Sequence, residues 1–392
     1  MLTLLGLAWR NLRSAALRTG LNSFALSLGF VMIIFGQGLL EGVNRQAERM
    51  AVDYDVGGGQ FWQENYDPYD YSTLIRAHAP VPAGFQPLIE RGEAVPILVV
   101  PGTVRSAVGL MPVVLKGIVP GQQVVKIPSA GLDSGNGLLP VVVGLRMAQM
   151  LGVSAGDTVQ IQLQGPEAQT VEVKGRVAAV MRTPVTTVDE GQLWLPLDRL
   201  AELAGLAGQA TLLTVRPGYP RNKLPAAPGW IFQSPAVLLS DLRQMIGTKT
   251  VGQSVFFVVL FLLALLAIFD TQVFSIFRRR REIGTLVALG MTRGQVVVLF
   301  TLEGALYGVL AALLGAVYGL PLFVYLNRHG ISFPGGSSWG FALEERMYPV
   351  YSSGLVIGTT LLVLIAAAFV AWLPARRIAR LKPTDALRGR WG

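Results

Sequence analysis

Side chains able to do covalent or acid–base chemistry are scarce in this sequence. It has no cysteine, and His78 and His329 are its two histidines among 392 residues. Disulfides, iron–sulfur clusters and thiolate zinc sites are thereby excluded, and no set of metal ligands is spaced for a metal ion. His78 follows Asp70 and Ser72, but a nucleophilic triad is a matter of geometry, and closeness in sequence makes this a poor hydrolase candidate. Gly156-Asp157, between apolar runs, reads as a tight turn. More informative are charges set in apolar surroundings. Glu303 interrupts the apolar run 296–326, where an acid is costly and often functional. Three roles are open to it: pairing with an arginine near the interface, accepting hydrogen bonds from a neighbouring helix, or coupling to protons. Arg278, Arg279, Arg280 and Arg281 lead into Glu282-Ile283-Gly284-Thr285-Leu286-Val287-Ala288-Leu289-Gly290. Ile283, Leu286, Val287 and Leu289 cannot all face water, and Gly290 suits a helix C-terminus. Such a helix is either a docking element for a soluble partner or a membrane-surface helix. Gly304 with Gly308, and Gly315 with Gly319, form two GxxxG pairs, the spacing that lets membrane helices approach closely.

The elements that carry these residues are four long apolar stretches. The first covers residues 21–40, about 30 Å as a helix, which is one hydrocarbon thickness. The others cover roughly 251–277, 296–326 and 350–373, the last flanked by Tyr348, Tyr351 and Trp372 at the depth of an aromatic belt. With 52% hydrophobic and 15% charged residues, the composition is that of an α-helical membrane protein with four transmembrane helices. The first stretch exceeds a signal-peptide core and precedes no small-x-small cleavage site, so it reads as a retained anchor. Ahead of it, Leu2, Leu5, Trp9, Leu12 and Ala16 recur at three- and four-residue intervals, as in an interfacial helix. Between the first and second spans, β-rich runs at 96–100, 112–117, 158–163 and 170–180 alternate with helical pieces at 145–151 and 197–203. These predict a large α+β domain inserted there.

Charge sets the expected orientation. The segments 1–19, 278–295 and 374–392 hold 14 basic and 2 acidic residues, whereas 43–250 holds 17 of each sign. Positive segments stay in the cytoplasm. The reading is therefore an interfacial helix at 1–19, spans at 20–42, 251–277, 296–326 and 350–373, cytoplasmic segments at 278–295 and 374–392, and extracytoplasmic segments at 43–250 and 327–349. The net charge of +9 is a topology signal, and nucleic-acid binding is disfavoured.

Arg281-Glu282-Ile283-Gly284, Ala288-Leu289-Gly290, Gln295 and Leu302-Glu303-Gly304 together resemble the signature of the FtsX/MacB/LolC–LolE superfamily of ABC-transporter permeases. The tail from Pro374-Ala375-Arg376-Arg377 to Arg388 is similar to that family's closing motif, and Ala8-Trp9-Arg10-Asn11-Leu12 to its opening one. Val143-Gly144, Leu151-Gly152-Val153 and Gly156-Asp157-Thr158-Val159 resemble a stretch of its extracytoplasmic domain.

The resemblance implies a non-catalytic permease subunit of the bacterial inner membrane, with both termini cytoplasmic and the large domain periplasmic. Arg281, Glu282, Ile283, Gly284, Leu286, Ala288, Leu289 and Gly290 map onto its coupling helix, seated on an ATPase subunit. The sequence lacks the GxxxxGK[ST] phosphate loop, which implies no directly bound cofactor and ATP with Mg on a separate ATPase dimer. A second permease subunit, identical or related, completes the family assembly. ATP-driven closure is passed through the membrane to the outer domains, a mechanism termed mechanotransmission. The size of the outer domain favours the LolC/LolE branch, which releases lipoproteins or similar lipophilic cargo to a periplasmic carrier. Phe30, Phe35, Phe257 and Phe261 are then candidates to line a cargo cavity, and the loop at 182–190 a candidate carrier contact. The alternatives are MacB-like export of peptides or amphiphiles with a periplasmic adaptor, and FtsX-like regulation of cell-wall hydrolases.

Overall fold

The computed structural model describes residues 2–14, 16–133, 137–165, 169–183, 185–332 and 346–378. In chain order the helices are α1 (Leu2–Ser14), α2 (Ala16–Ala51), α3 (Gln86–Glu90), α4 (Leu145–Leu151), α5 (Thr186–Gly191), α6 (Leu197–Ala204), α7 (Pro235–Leu238), α8 (Ser240–Arg278), α9 (Arg280–Ala288), α10 (Arg293–His329) and α11 (Ser353–Ile378). The strands are β1 (Gln60–Gln63), β2 (Ala79–Pro80), β3 (Ala94–Arg105), β4 (Leu110–Ile118), β5 (Leu139–Gly144), β6 (Thr158–Gln164), β7 (Thr170–Met181), β8 (Gln192–Pro196), β9 (Gln209–Ala210), β10 (Leu212–Val215) and β11 (Trp230–Gln233), followed by β12 (Ile331–Ser332) and β13 (Arg346–Met347). They form two compact units, one of Met1–Val43, Ile246–Ser332 and Arg346–Gly392, the other chiefly Asn44–Met245.

The helical unit follows from apolar length. Four helical stretches, Thr19–Val56, Val255–Arg278, Arg293–His329 and Ser353–Arg376, are long and apolar enough to cross a membrane. Even the shortest, at 24 residues, rises about 36 Å. Leu26, Phe30, Ile34, Leu265, Ile268, Ala311 and Ala367 form the buried centre of this bundle. The opposite face of α8 leaves Val255, Phe256, Val259, Leu262 and Leu266 about half exposed, as a lipid-facing surface requires. In α1 the buried residues are Ala8 and Leu12, while Leu5 and Trp9 stay exposed and Ala16 already belongs to α2. The face that packs is therefore rotated from the Leu5–Trp9–Leu12–Ala16 stripe, because α1 lies along α10 and also offers an apolar flank.

The second unit is β-rich. Its longest helix outside α2 and α8 among the described residues, α6, has eight residues, so the sheet dominates the expected α+β balance. Nine strands run in the order β11-β1-β10-β3-β4-β8-β5-β7-β6, and β6 also pairs with β3. That extra pairing closes β3, β4, β8, β5, β7 and β6 into a six-stranded ring, with β4–β8 and β5–β7 parallel. The long strand β3 belongs to both parts: its start pairs with β10 and its end with β6. Period-two alternation explains its continuous apolar sequence. Leu98, Val100 and Val104 face one core, and Val95, Ile97 and Val99 face another.

Candidate functional site

The polar residues of the helical unit converge where α8 ends. Arg279 leaves helical geometry (φ −96°, ψ 16°), which separates α8 from α9. Its Nε donates to Glu282 Oε2 at 2.9 Å, one turn into α9. Its Nη1 donates to Glu303 Oε1 at 3.0 Å and Oε2 at 3.4 Å, and its guanidinium lies 5.5 Å from the centre of the Phe300 ring. Glu303 is 3% exposed, and Asn11 Nδ2 of α1 donates to its Oε1 at 2.6 Å. Two of the three roles open to this acid are thus filled together: it pairs with an arginine, and it accepts a hydrogen bond from another helix. A buried carboxylate needs such compensation. Asp270, by contrast, is exposed.

The helix α9 is split between an inner and an outer side. Ile283 and Gly284 are buried, with Ile283 packed among Ile276, Val296, Phe300 and Ala375 and Val287 beside them. Glu282, Thr285, Ala288 and Gly290 are exposed, and Leu289 is 81% exposed. The side chains of Arg281 and Leu286 lie outside the described residues. Gly290 has φ +101°, a conformation glycine adopts readily, and its N–H donates to the Val287 carbonyl. Thr292 then caps α10 with a reciprocal box. Gln295 N donates to Thr292 Oγ1 at 3.3 Å, and Thr292 N to Gln295 Oε1 at 2.8 Å.

The two GxxxG pairs lie on one stripe of α10, with buried Ala311 between them, and meet different neighbours. A Cβ on Gly304 would collide with Ala371 Cβ, and one on Gly308 would lie 3.2 Å from Leu364 Cδ2, both in α11. A Cβ on Gly315 would sit 2.9 Å from Phe30 Cδ1, and one on Gly319 3.0 Å from Val31 Cγ2, both in α2. Phe30 is therefore 6% exposed and fills the space that Gly315 leaves. Phe257 presses on Gly36, while Phe35 and Phe261 pack partly buried against the bundle centre. Within this single chain Phe30 is enclosed by α2 and α10. Phe257 likewise packs where Gly36 leaves room for its ring.

In the sheet unit the polar contacts are structural. Asp70 accepts from Ser72 N and Oγ, and His78 Nδ1 meets Gln209 Oε1 at 2.6 Å, so the two belong to separate networks and form no triad. Asp157 sits in a turn, its Oδ2 accepting from Ser154 N at 2.8 Å. Residues 186–190 of the expected loop at 182–190 belong to α5, whose Asp189 is 4% exposed against Arg146 (3.6 Å). Burial raises the Asp189 carboxyl above its ordinary value, against the backbone N–H groups of Arg146 and Leu145 and the Arg146 charge.

Sequence reading missed the fastening of α2 within this unit. After Ala51 the chain makes a π-helical turn, Val52–Val56, whose Asp53 and Asp55 pair with Lys126 at 2.7 Å and Lys116 at 3.0 Å. Lys116 is 6% exposed and lies 5.1 Å from the centre of the Trp194 ring. Glu48 of α2 receives Arg243 of α8 on both oxygens, at 2.7 and 3.2 Å, and Asp241 accepts the Tyr69 hydroxyl. Lysine within an apolar strand is the signal that could have found Lys116, because a buried ammonium needs a carboxylate.

Residues 254–383, which contain most of α8 and all of α9, α10 and α11, match the family described as FtsX-like permease C-terminal. The chain is 31% identical over 121 residues to the macrolide export ATP-binding/permease protein MacB of Chlorobaculum tepidum, a match spanning 31% of this chain and 16% of that protein. It is 24% identical over 360 residues to the lipoprotein-releasing system transmembrane protein LolC of Xylella fastidiosa strain Temecula1, spanning 81% of this chain and 86% of LolC. The extracellular domain of the noncanonic ABC-type transporter YknZ from Gram-positive bacteria aligns with 47% of this chain and 94% of its own at 16% identity and a TM-score of 0.25.

Proposed function

We propose that this chain, a multi-pass ABC-transporter permease of the FtsX/MacB/LolC superfamily, is the non-catalytic membrane subunit of a machine driven by a separate ATPase. The observation that carries this reading is the construction of α9. One side of that short helix is packed into the bundle through Ile283, and its N-terminus is held by Arg279 to Glu303. Its other side presents Glu282, Ala288 and Leu289. A helix anchored on one side, with a carboxylate and the exposed Leu289 on the other, suits a partner that pushes on it. ATP and Mg would sit on that partner, since the 392 residues contain no phosphate loop.

The charge asymmetry supports a cytoplasmic α9 and an external sheet unit in the inner membrane. Force would then pass along α2, whose end is fixed by the Asp53–Lys126 and Asp55–Lys116 pairs. The cargo proposed is a lipoprotein or similar lipophilic molecule drawn from the outer leaflet, with a second permease chain completing the assembly and a soluble carrier receiving the cargo. Support for this branch is the match to LolC along most of both chains, whereas the MacB match covers a minority of each.

Two measurements test the reading. Affinity purification of the chain from native membranes should recover an ABC ATPase. In that complex, E282Q and G290A should lower cargo-stimulated ATP hydrolysis while leaving insertion intact; unchanged hydrolysis would overturn the role of α9. Depletion of the chain should leave lipoproteins in the inner membrane. Normal lipoprotein sorting with failed export of a secreted molecule, or with failed septal wall cleavage, would overturn the cargo assignment.

A further inference from the structure

Along one edge, β3 changes partner. Ala94, Val95, Pro96 and Ile97 pair with β10, and Gly102, Thr103, Val104 and Arg105 pair with β6. Thr211 extends the first pairing to Val99, whose N–H donates to Thr211 Oγ1 at 3.0 Å. Val100 and Pro101 fall between the two partners, and Pro101 has no N–H to leave unpaired there. The sheet forks at this point, and a cleft of about 830 Å³ opens over the fork. That volume lies within the several hundred to about a thousand Å³ usual for small-molecule sites.

The walls of the cleft differ in chemistry. Val100, Pro101 and Leu206 supply apolar lining, together with Ile75, which is 48% exposed. Polar lining comes from Asn65, Ser72, Thr73, Arg76, His78 and Gln164. Both His78 nitrogens are occupied, by Gln209 Oε1 and by the Ile75 carbonyl at 3.1 Å, so the ring is a fixed wall rather than a free donor. Arg76 makes no ion pair among the described residues, and no described carboxylate lines the cleft. The nearby Asp70 is held by Ser72 N and Oγ. A guanidinium without an ion pair among the described residues, lining the same cleft as Val100, Pro101 and Leu206, favours a ligand with an anion at one end and hydrocarbon at the other.

We infer that this cleft binds an anionic amphiphile, its carboxylate or phosphate at Arg76 and its hydrocarbon along Val100, Pro101 and Leu206. The site lies wholly within the sheet unit and is separate from α9.

The test uses the full chain in phosphatidylcholine nanodiscs and a diazirine-bearing tetradecanoic acid as photoaffinity probe, with labelled peptides mapped after digestion. Labelling of the segments 72–78, 100–101 and 204–206 is expected to fall at least fivefold in R76Q and to persist in R76K. Labelling of the membrane helices should be equal in all three proteins. Excess dodecyl phosphate should compete. Equal cleft labelling in R76Q and the unsubstituted chain would overturn the inference, as would competition by neutral dodecyl maltoside. Competition by inorganic phosphate alone would also overturn it, in favour of a free-anion site. Labelling is read without nucleotide or a second protein, so failure here leaves the transport proposal standing.

Discussion

Arg279 joins two carboxylates of opposite character, the exposed Glu282 and the buried Glu303. Removing the cation would strand Glu303 with Asn11 as its remaining side-chain partner among the described residues, and losing one member of a buried pair costs about 3 kcal/mol or more. R279Q is therefore expected to lower the unfolding temperature of the detergent-solubilised chain by several degrees. The double variant R279Q/E303Q should recover part of that loss, because no uncompensated charge is left buried. A double variant as unstable as the sum of the two single ones would refute the coupling. Asp189 offers a pH test. Because burial raises its folded-state pKa above the ordinary 3.8, the folded chain holds this proton more tightly than the unfolded one. Its contribution is fullest below the unfolded value and is lost as pH rises through the folded one. The unfolding temperature of D189N relative to the unsubstituted protein should thus increase as pH rises through that window. A pH-independent difference would contradict it.

At the scale of elements, α10 acts as the shared spine of the helical unit. Its glycine stripe serves α11 through Gly304 and Gly308, and α2 through Gly315 and Gly319. G304L would drive a branched side chain into Ala371, and overpacking of this kind costs on the order of 1–3 kcal/mol. A drop in unfolding temperature is expected for G304L, and a smaller one for G308A, whose new methyl meets Leu364 at 3.2 Å and Ala367 at 3.4 Å. Equal stability of G304L and the unsubstituted chain would mean that α10 and α11 do not pack in this way. The end of α9 was legible in sequence because its stop signal is local: Gly290, which takes positive φ. The Thr292–Gln295 box that starts α10 emerged with the structure. Which apolar residues of α9 turn inward was not legible. That choice depends on where Val296, Phe300 and Ala375 stand, and Ala375 is far along the chain.

For the whole molecule, the decisive quantity is which unit faces which compartment. The absence of cysteine makes this directly measurable, since a single introduced thiol has no background. L289C and V108C replace residues 81% and 72% exposed, so both thiols should be reachable without unfolding. A membrane-impermeant maleimide added to intact spheroplasts is expected to label V108C, and L289C only after lysis. The reverse pattern would overturn the orientation and with it the force path proposed along α2.

The sequence by itself determined the four apolar helices, the charge bias between their connections, the glycine stop of α9 and the family resemblance. Each of these is written in neighbouring residues: hydropathy over one bilayer thickness, or a cap signal a few positions long. Tertiary structure decided that Arg279, within a run of four arginines, holds Glu303, and that Asn11 reaches the same carboxylate across 292 positions. It also decided that Phe30 fills a gap beside Gly315, and that β3 forks between two partners. Such choices are made by steric fit and charge compensation between segments distant in sequence, and no local periodicity encodes which distant segment will arrive.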